Sequence, residues 1–185
     1  LHTAYRRQRQ MCIRDSMEVV ALAALLHDVD DRKLSPMTAE KKENAARFMC
    51  SQNVSESEIR QVCQIIDEVS FKGTDSVRPS TPEGKCVQDA DRLDALGAIG
   101  IARTFAYGGS HHRAIYDPEL PPRTAMNQAQ YYSSNSTSLN HFYEKLFLLE
   151  DMMNTETGKA IARKRTQYMQ EFVDEFLSEW DGLDK

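Results

Sequence analysis

The chain has 185 residues, of which 41% are hydrophobic and 28% are charged, a balance that suits one compact domain with a charged surface. Its formal net charge of −5 argues against general affinity for nucleic acids or anionic membranes, because both depend on clustered lysine and arginine. The cysteines are far apart and form no C-x-x-C pair, which indicates reduced thiols rather than a zinc ribbon or a disulfide scaffold.

The first residues, 1–15, differ in character from the rest of the chain. They include the run RRQRQMCIRDS, which is rich in arginine and has too few large apolar side chains to bury a helix face. The apolar run VVALAALL that follows leads directly into HDVDD without a cleavage site, so it does not fit a signal peptide. We expect residues 1–15 to be a leader that is foreign to the domain or disordered, and residues 16–185 to form the domain.

Helical periodicity dominates from Ser16 onward, and no strand pattern competes with it. Ser16 is a favourable N-cap, and Ser55 with Glu58 forms a capping box. The predicted helices run over about 17–28, 38–52, 55–66, 83–107, 139–149 and 157–182. The fold class is therefore predicted to be all-α. No apolar run approaches the roughly 20 residues of a membrane span, so we expect a cytoplasmic protein.

One long segment, from about residue 108 to 137, lacks a sustained period. It contains prolines, serines and tyrosines, and it is long for a connection without structure of its own. Segments of this kind are often lids or disordered loops.

Two acidic motifs carry the chemistry. His27 and Asp28 stand side by side at the end of the first predicted helix, where both could reach one metal ion, although an ordinary polar pair at a helix end is the alternative. Asp89, Asp91 and Asp94 lie at the start of a helix that is apolar farther on, and Asp91 shares a face with Asp94. Carboxylates near a buried face need a partner, and either a metal ion or the helix N-terminus can serve.

Together these residues resemble the HD superfamily of metal-dependent phosphohydrolases, in its small single-domain bacterial branch. The motifs LLHDVDD and DADRLDALGAIGIARTFAYGG carry the resemblance, and SFKG, IYDP and the segment beginning HFYEKL extend it from Ser16 to Gly182. The resemblance implies an HD-domain helical bundle in which His27, Asp28 and Asp91 bind a divalent ion, Mn²⁺ or Mg²⁺. The absence of a G-Y-P motif argues against the cyclic-dinucleotide branch.

The resemblance also implies the reaction. We expect water to attack the phosphorus of a small phosphorylated substrate, a nucleotide, releasing phosphate from a monoester or pyrophosphate from a nucleoside triphosphate. Asp31 could orient or deprotonate that water, or be an exposed acid in a turn. Lys33 and Lys72 are candidate phosphate contacts, although a loop lysine is often only solvated.

One ligand of the family pattern has no clear counterpart. The first histidine of the family lies farther upstream of the HD pair than this chain extends, and His2 stands in the dissimilar context HTAYRR. A catalytically impaired helical scaffold or binding protein with an HD shell is therefore the alternative function. The sequence does not indicate the oligomeric state.

Overall fold

The computed structural model describes residues 16–30, 35, 37–127, 129–130 and 136–183. The predictions made for residues 1–15, Asp31 and Lys33 lie outside these residues. Within them the structure is helical, which confirms the all-α prediction, and the β structure is limited to an isolated bridge between Lys72 and Thr74. None of the helices in the described ranges is both long and apolar enough to cross a membrane.

In chain order, the described residues include seven α-helices and a 3-10 helix. Helix α1 covers residues 16–26. The helices that follow are α2 (Glu43–Ser51), α3 (Glu56–Val69), α4 (Pro82–Asp94), α5 (Gly97–Ser110), α6 (Asn140–Glu144), a 3-10 helix (Leu146–Leu149) and α7 (Glu156–Trp180).

The chain divides into two compact units, and helix α4 begins in the first and ends in the second. The first unit holds the described residues up to Ser70 together with Val77–Gln88. Its core is aliphatic and is built from the buried faces of α1, α2 and α3. The predicted capping box is confirmed, because the Ser55 hydroxyl accepts from the Glu58 N–H and the Glu58 carboxylate accepts from the Ser55 N–H.

The second unit contains Phe71–Ser76 and the chain from Asp89 onward. Its core is aromatic where α5, α6 and α7 meet. The Phe105 ring lies 6.0 Å from Phe142 and 5.9 Å from Phe172, centroid to centroid. Such ring contacts stabilise a core beyond the area that they bury.

The single helix predicted over 83–107 is wrong, because the chain forms two helices with a break at Ala95 and Leu96. At the break, Arg165 of α7 donates to the Leu93 carbonyl at 2.5 Å. Gly97 begins α5 at a φ of 79°, a left-handed conformation that favours glycine.

Two other predicted helices are shorter than expected. The helix predicted over 38–52 begins only at Glu43, after Lys42 with a φ of 52°. The helix predicted over 139–149 is interrupted at Lys145, whose φ of −140° separates α6 from the 3-10 helix. Both interruptions are backbone conformations that an amphipathic pattern does not encode.

An ion pair connects the irregular segment to α6. The segment predicted over about 108–137 is confirmed only in part, because residues 111–127 form no helix but 108–110 belong to α5 and 129–130 are helical. Arg123 binds the Glu144 carboxylate with Nε at 3.0 Å, Nη2 at 3.2 Å and its backbone N–H at 3.1 Å. Burial raises the pKa of Glu144, but the hydrogen bonds and the charge of Arg123 lower it more, so the pKa lies below its usual range.

We expect Glu144→Gln to lower the free energy of unfolding at pH 7 by about 2–3 kcal/mol, because it leaves a partly buried guanidinium without a counter-charge. The folded-state pKa lies below the unfolded value of about 4.3, so the contribution is complete above that value and is lost as the pH falls through the folded-state pKa. Urea unfolding of both proteins at pH 7, and in a series of buffers down through the folded-state pKa, measures the difference and its loss. Glu119→Gln, an exposed acid in the same segment, is the control, and an equal loss in both variants at pH 7 would contradict the assignment.

Candidate metal centre

The His27–Asp28 pair lies in the turn directly after α1. The Nδ1 atom of His27 is 2.8 Å from the Ala24 carbonyl oxygen. A carbonyl oxygen can only accept, so Nδ1 carries the proton and, in the neutral ring, Nε2 is the nitrogen that can act as an acceptor or metal ligand. A backbone carbonyl that engages one ring nitrogen orients the other for metal binding, which is common among histidine ligands.

The side chains of His27 and Asp28 are in direct contact with each other. His27 Nε2 and Asp28 Oδ2 lie 3.3 Å apart. Two ligand atoms that are each about 2.1 Å from an ion and about 90–110° apart are themselves separated by about 3.0–3.4 Å. The His27 side chain is 25% exposed and that of Asp28 is 72% exposed, so the pair is open to solution. An imidazole and a carboxylate at this distance fit two positions around a divalent metal ion.

Asp30 anchors the turn that carries the pair. This residue is buried, and its carboxylate accepts from the backbone N–H groups of Ala45, at 2.9 Å, and Asn44, at 3.3 Å. Burial raises the pKa of Asp30, but hydrogen bonds from Thr38, Ala45 and Asn44 lower it more, so the pKa is below its usual range. The sequence reasoning missed this role, because nothing in HDVDD distinguishes an anchoring acid from an exposed one.

Asp89 has a structural role. It is buried, and its two carboxylate oxygens accept four hydrogen bonds of 2.7–2.9 Å from the backbone and side chains of Asn154 and Thr155. These residues lead directly into α7, so Asp89 holds the start of that helix against α4. A Cβ on Gly158 would lie 2.5 Å from Asp89 Oδ2, so the close approach requires glycine.

Asp91 and Asp94 differ in their surroundings, although they share a helix face. Asp94 is exposed and forms an ion pair with Arg103. Asp91 is half-buried one turn earlier in α4. Between them, Arg92 is buried and donates to the Met152 carbonyl. Burial lowers the pKa of the Arg92 guanidinium, and the negative charges of Asp89 and Asp91 partly offset that effect. Of the three aspartates, Asp91 therefore stays the predicted ligand.

The remaining predicted residues are located as follows. Lys72 is half-buried. Its backbone N–H donates to the Ser76 hydroxyl at 2.8 Å, and its backbone carbonyl accepts from the Asp75 N–H at 3.2 Å. These hydrogen bonds define the backbone conformation of the loop. Across the described ranges, no three His, Cys, Asp or Glu side chains form a group that could hold a metal ion. The structure thus brings His27 and Asp28 together, and the role of Asp91 stays a prediction.

Comparison with known proteins identifies the family. The model of the HD domain matches residues 4–96. Bacillus subtilis YpgQ, an uncharacterized protein, is 35% identical over 168 residues, which cover 90% of this chain and 74% of YpgQ.

Solved structures agree with this match. A Lactobacillus plantarum protein superposes with a TM-score of 0.78 at 43% identity, covering 89% of this chain and 76% of its own. An HD-superfamily hydrolase from Bacillus thuringiensis gives 0.65 at 42% identity, covering 95% and 84%. YpgQ in complex with ADP gives 0.66 at 31% identity, covering 87% and 72%. This chain therefore belongs to the HD superfamily, whose helical fold is that of metal-dependent phosphohydrolases.

Proposed function

We propose that this chain hydrolyses phosphate ester or anhydride bonds of nucleotides, with a divalent ion held by His27, Asp28 and Asp91. The observation that carries the proposal is the 3.3 Å separation of His27 Nε2 and Asp28 Oδ2, with the imidazole oriented by the Ala24 carbonyl. The structure of YpgQ in complex with ADP supports a nucleotide as the ligand, since that protein resembles this chain over most of its length.

The roles of the residues follow from their chemistry. The ion, Mn²⁺ or Mg²⁺, supplies Lewis acidity that lowers the pKa of water and neutralises phosphate oxygens. Asp31 accepts a proton from the attacking water. Lys33 and Lys72 contact the phosphate oxygens as compact positive charges. Attack of water on the phosphorus of a monoester breaks the P–O bond to the nucleoside and yields the nucleoside and phosphate, whereas attack on the α-phosphorus of a nucleoside triphosphate expels pyrophosphate and leaves the monophosphate.

A helical scaffold without catalysis is the second candidate. It is favoured by one observation, that the described ranges contain no group of three possible metal ligands. Such a protein would keep the HD-domain fold but bind metal weakly, since two ligands hold an ion less firmly than three or four. Metal affinity and turnover therefore separate the two candidates.

We expect nucleotide hydrolysis that requires added Mn²⁺ or Mg²⁺ and that stops with chelator. Nucleoside mono-, di- and triphosphates are incubated with each metal, and phosphate and pyrophosphate release are measured separately, because the two products distinguish the scissile bond. His27→Ala should lower turnover by about 100-fold or more, since it removes a direct ligand. Absence of both hydrolysis and metal binding in this chain would favour the scaffold.

Substitution of each of the three aspartates of α4 should have a different effect on metal binding and stability. Asp91→Ala should abolish Mn²⁺ binding measured by calorimetry while leaving the fold intact, because its carboxylate is the proposed ligand. Asp94→Ala is the matched control and should bind Mn²⁺ normally, since Asp94 is exposed and pairs with Arg103. Asp89→Ala should instead lower the free energy of unfolding by about 2–4 kcal/mol, because buried donors lose their acceptor. Equal loss of Mn²⁺ binding in the Asp91 and Asp94 variants would mean that the ligand is misassigned.

The proposed acid–base and phosphate-binding residues should affect different kinetic constants. Asp31→Asn should lower kcat by about 10²–10⁴-fold without weakening Mn²⁺ binding, since it removes a general base. Lys33→Ala and Lys72→Ala should mainly raise KM if they hold phosphate in both ground and transition state. Lys41→Ala, an exposed lysine, is the control. An unchanged kcat in Asp31→Asn would remove this residue from the mechanism.

A further inference from the structure

A groove of about 990 Å³ lies in the second unit, between the start of α5 and the first half of α7. It shares no residue with the proposed metal centre. Its apolar walls include Leu96 and Ile99 on one side and Ile161 and Tyr168 on the other. Ile99 is 67% exposed and Tyr168 is 52% exposed, which is high for side chains of this size.

The convergence of these side chains distinguishes the groove from ordinary surface. Single exposed apolar residues are common on soluble proteins and need no explanation. Here, however, Ile161 and Tyr168 are seven residues apart on one face of α7, and Ile99 meets them from α5. The volume lies at the upper end of the roughly 300–1,000 Å³ that is typical of small-molecule sites, which are likewise mostly apolar with a few polar groups.

The charges at the groove leave an excess of positive charge, which favours an anion. The two acids in its wall are each paired with a cation outside the wall, Asp94 with Arg103 and Glu156 with Lys159. The two cations in the wall, Lys164 and Arg165, have no carboxylate partner among the residues that the structure describes. Arg165 donates instead to the Leu93 carbonyl.

We propose that this groove binds one long-chain carboxylate, with the acyl chain against the apolar walls and the carboxylate near Lys164 and Arg165. An acyl chain matches the apolar part of the wall that Leu96, Ile99 and Ile161 form, and the polar side chains Thr157 and Tyr168 lie beside it. A single amphiphile fits better than a membrane, since the apolar surface is concave and a bilayer would need a protruding one.

The head group is the first feature to test. Dodecanoate, below its micellar concentration, is titrated into the full chain by calorimetry, alongside dodecyltrimethylammonium and dodecyl maltoside, which carry the same tail on a cationic and a neutral head. We expect dodecanoate to bind at least about tenfold more tightly than the other two. Equal affinity for all three would overturn the proposal, and so would binding to phosphatidylglycerol vesicles without binding of the monomer.

The residues are tested with matched variants. Ile99→Asn and Lys164→Glu should each weaken dodecanoate binding by about tenfold or more, by loss of apolar contact and by charge reversal. Ile115→Asn and Arg163→Glu alter exposed side chains outside the groove and should bind as the parent does. Circular dichroism checks that each variant is folded, as expected for exposed positions.

Two outcomes would assign the groove differently. Undiminished binding in Lys164→Glu would exclude the proposed carboxylate contact. A dimer in sedimentation that Ile99→Asn dissociates, without dodecanoate binding, would mean that a second copy of the chain covers this face. Neither readout uses nucleotide hydrolysis, so the result is independent of the proposed function.

Discussion

The arrangement of the second unit depends on one buried carboxylate. Asp89 accepts hydrogen bonds from the backbone and side chains of Asn154 and Thr155, and so links the end of α4 to the start of α7. Hydrogen bonds to charged groups contribute about 1.5–3 kcal/mol each at most, and leaving buried donors unsatisfied costs a similar amount. Asp91 lies only two residues farther along the same helix. The link through Asp89 therefore also fixes the backbone position from which the Asp91 side chain extends.

Each of the two acidic motifs thus combines an anchoring acid with a proposed ligand. In the first unit, Asp30 holds the backbone near the start of α2, and Asp28 two residues earlier is open to solution. In the second, Asp89 is the anchor and Asp91 the proposed ligand. Metal ligands bind best when surrounding contacts reduce their freedom before the ion arrives, and a fixed backbone on the same segment provides this.

Local patterns predicted the features that local interactions determine. The helical class, the capping box at Ser55 and the position of His27 at a helix end all follow from residues within one or two turns. The break before Gly97 was missed although a glycine at this point is a local signal for a helix end, whereas the contact of Arg165 with Leu93 spans 72 residues and has no local signal. The role of Asp89 likewise has no local signal, since its partners lie 65 and 66 residues away.

The close approach of Gly158 to Asp89 constrains how the sequence can diverge. A methyl group at position 158 would lie 2.5 Å from Asp89 Oδ2, so a larger residue there requires the carboxylate to withdraw or the helix start to move. Substitutions at the two positions are therefore expected to be coupled among homologues: where the glycine is replaced, Asp89 should be replaced by a smaller side chain as well. Such paired replacement would mark lineages in which α7 is attached to α4 by different contacts.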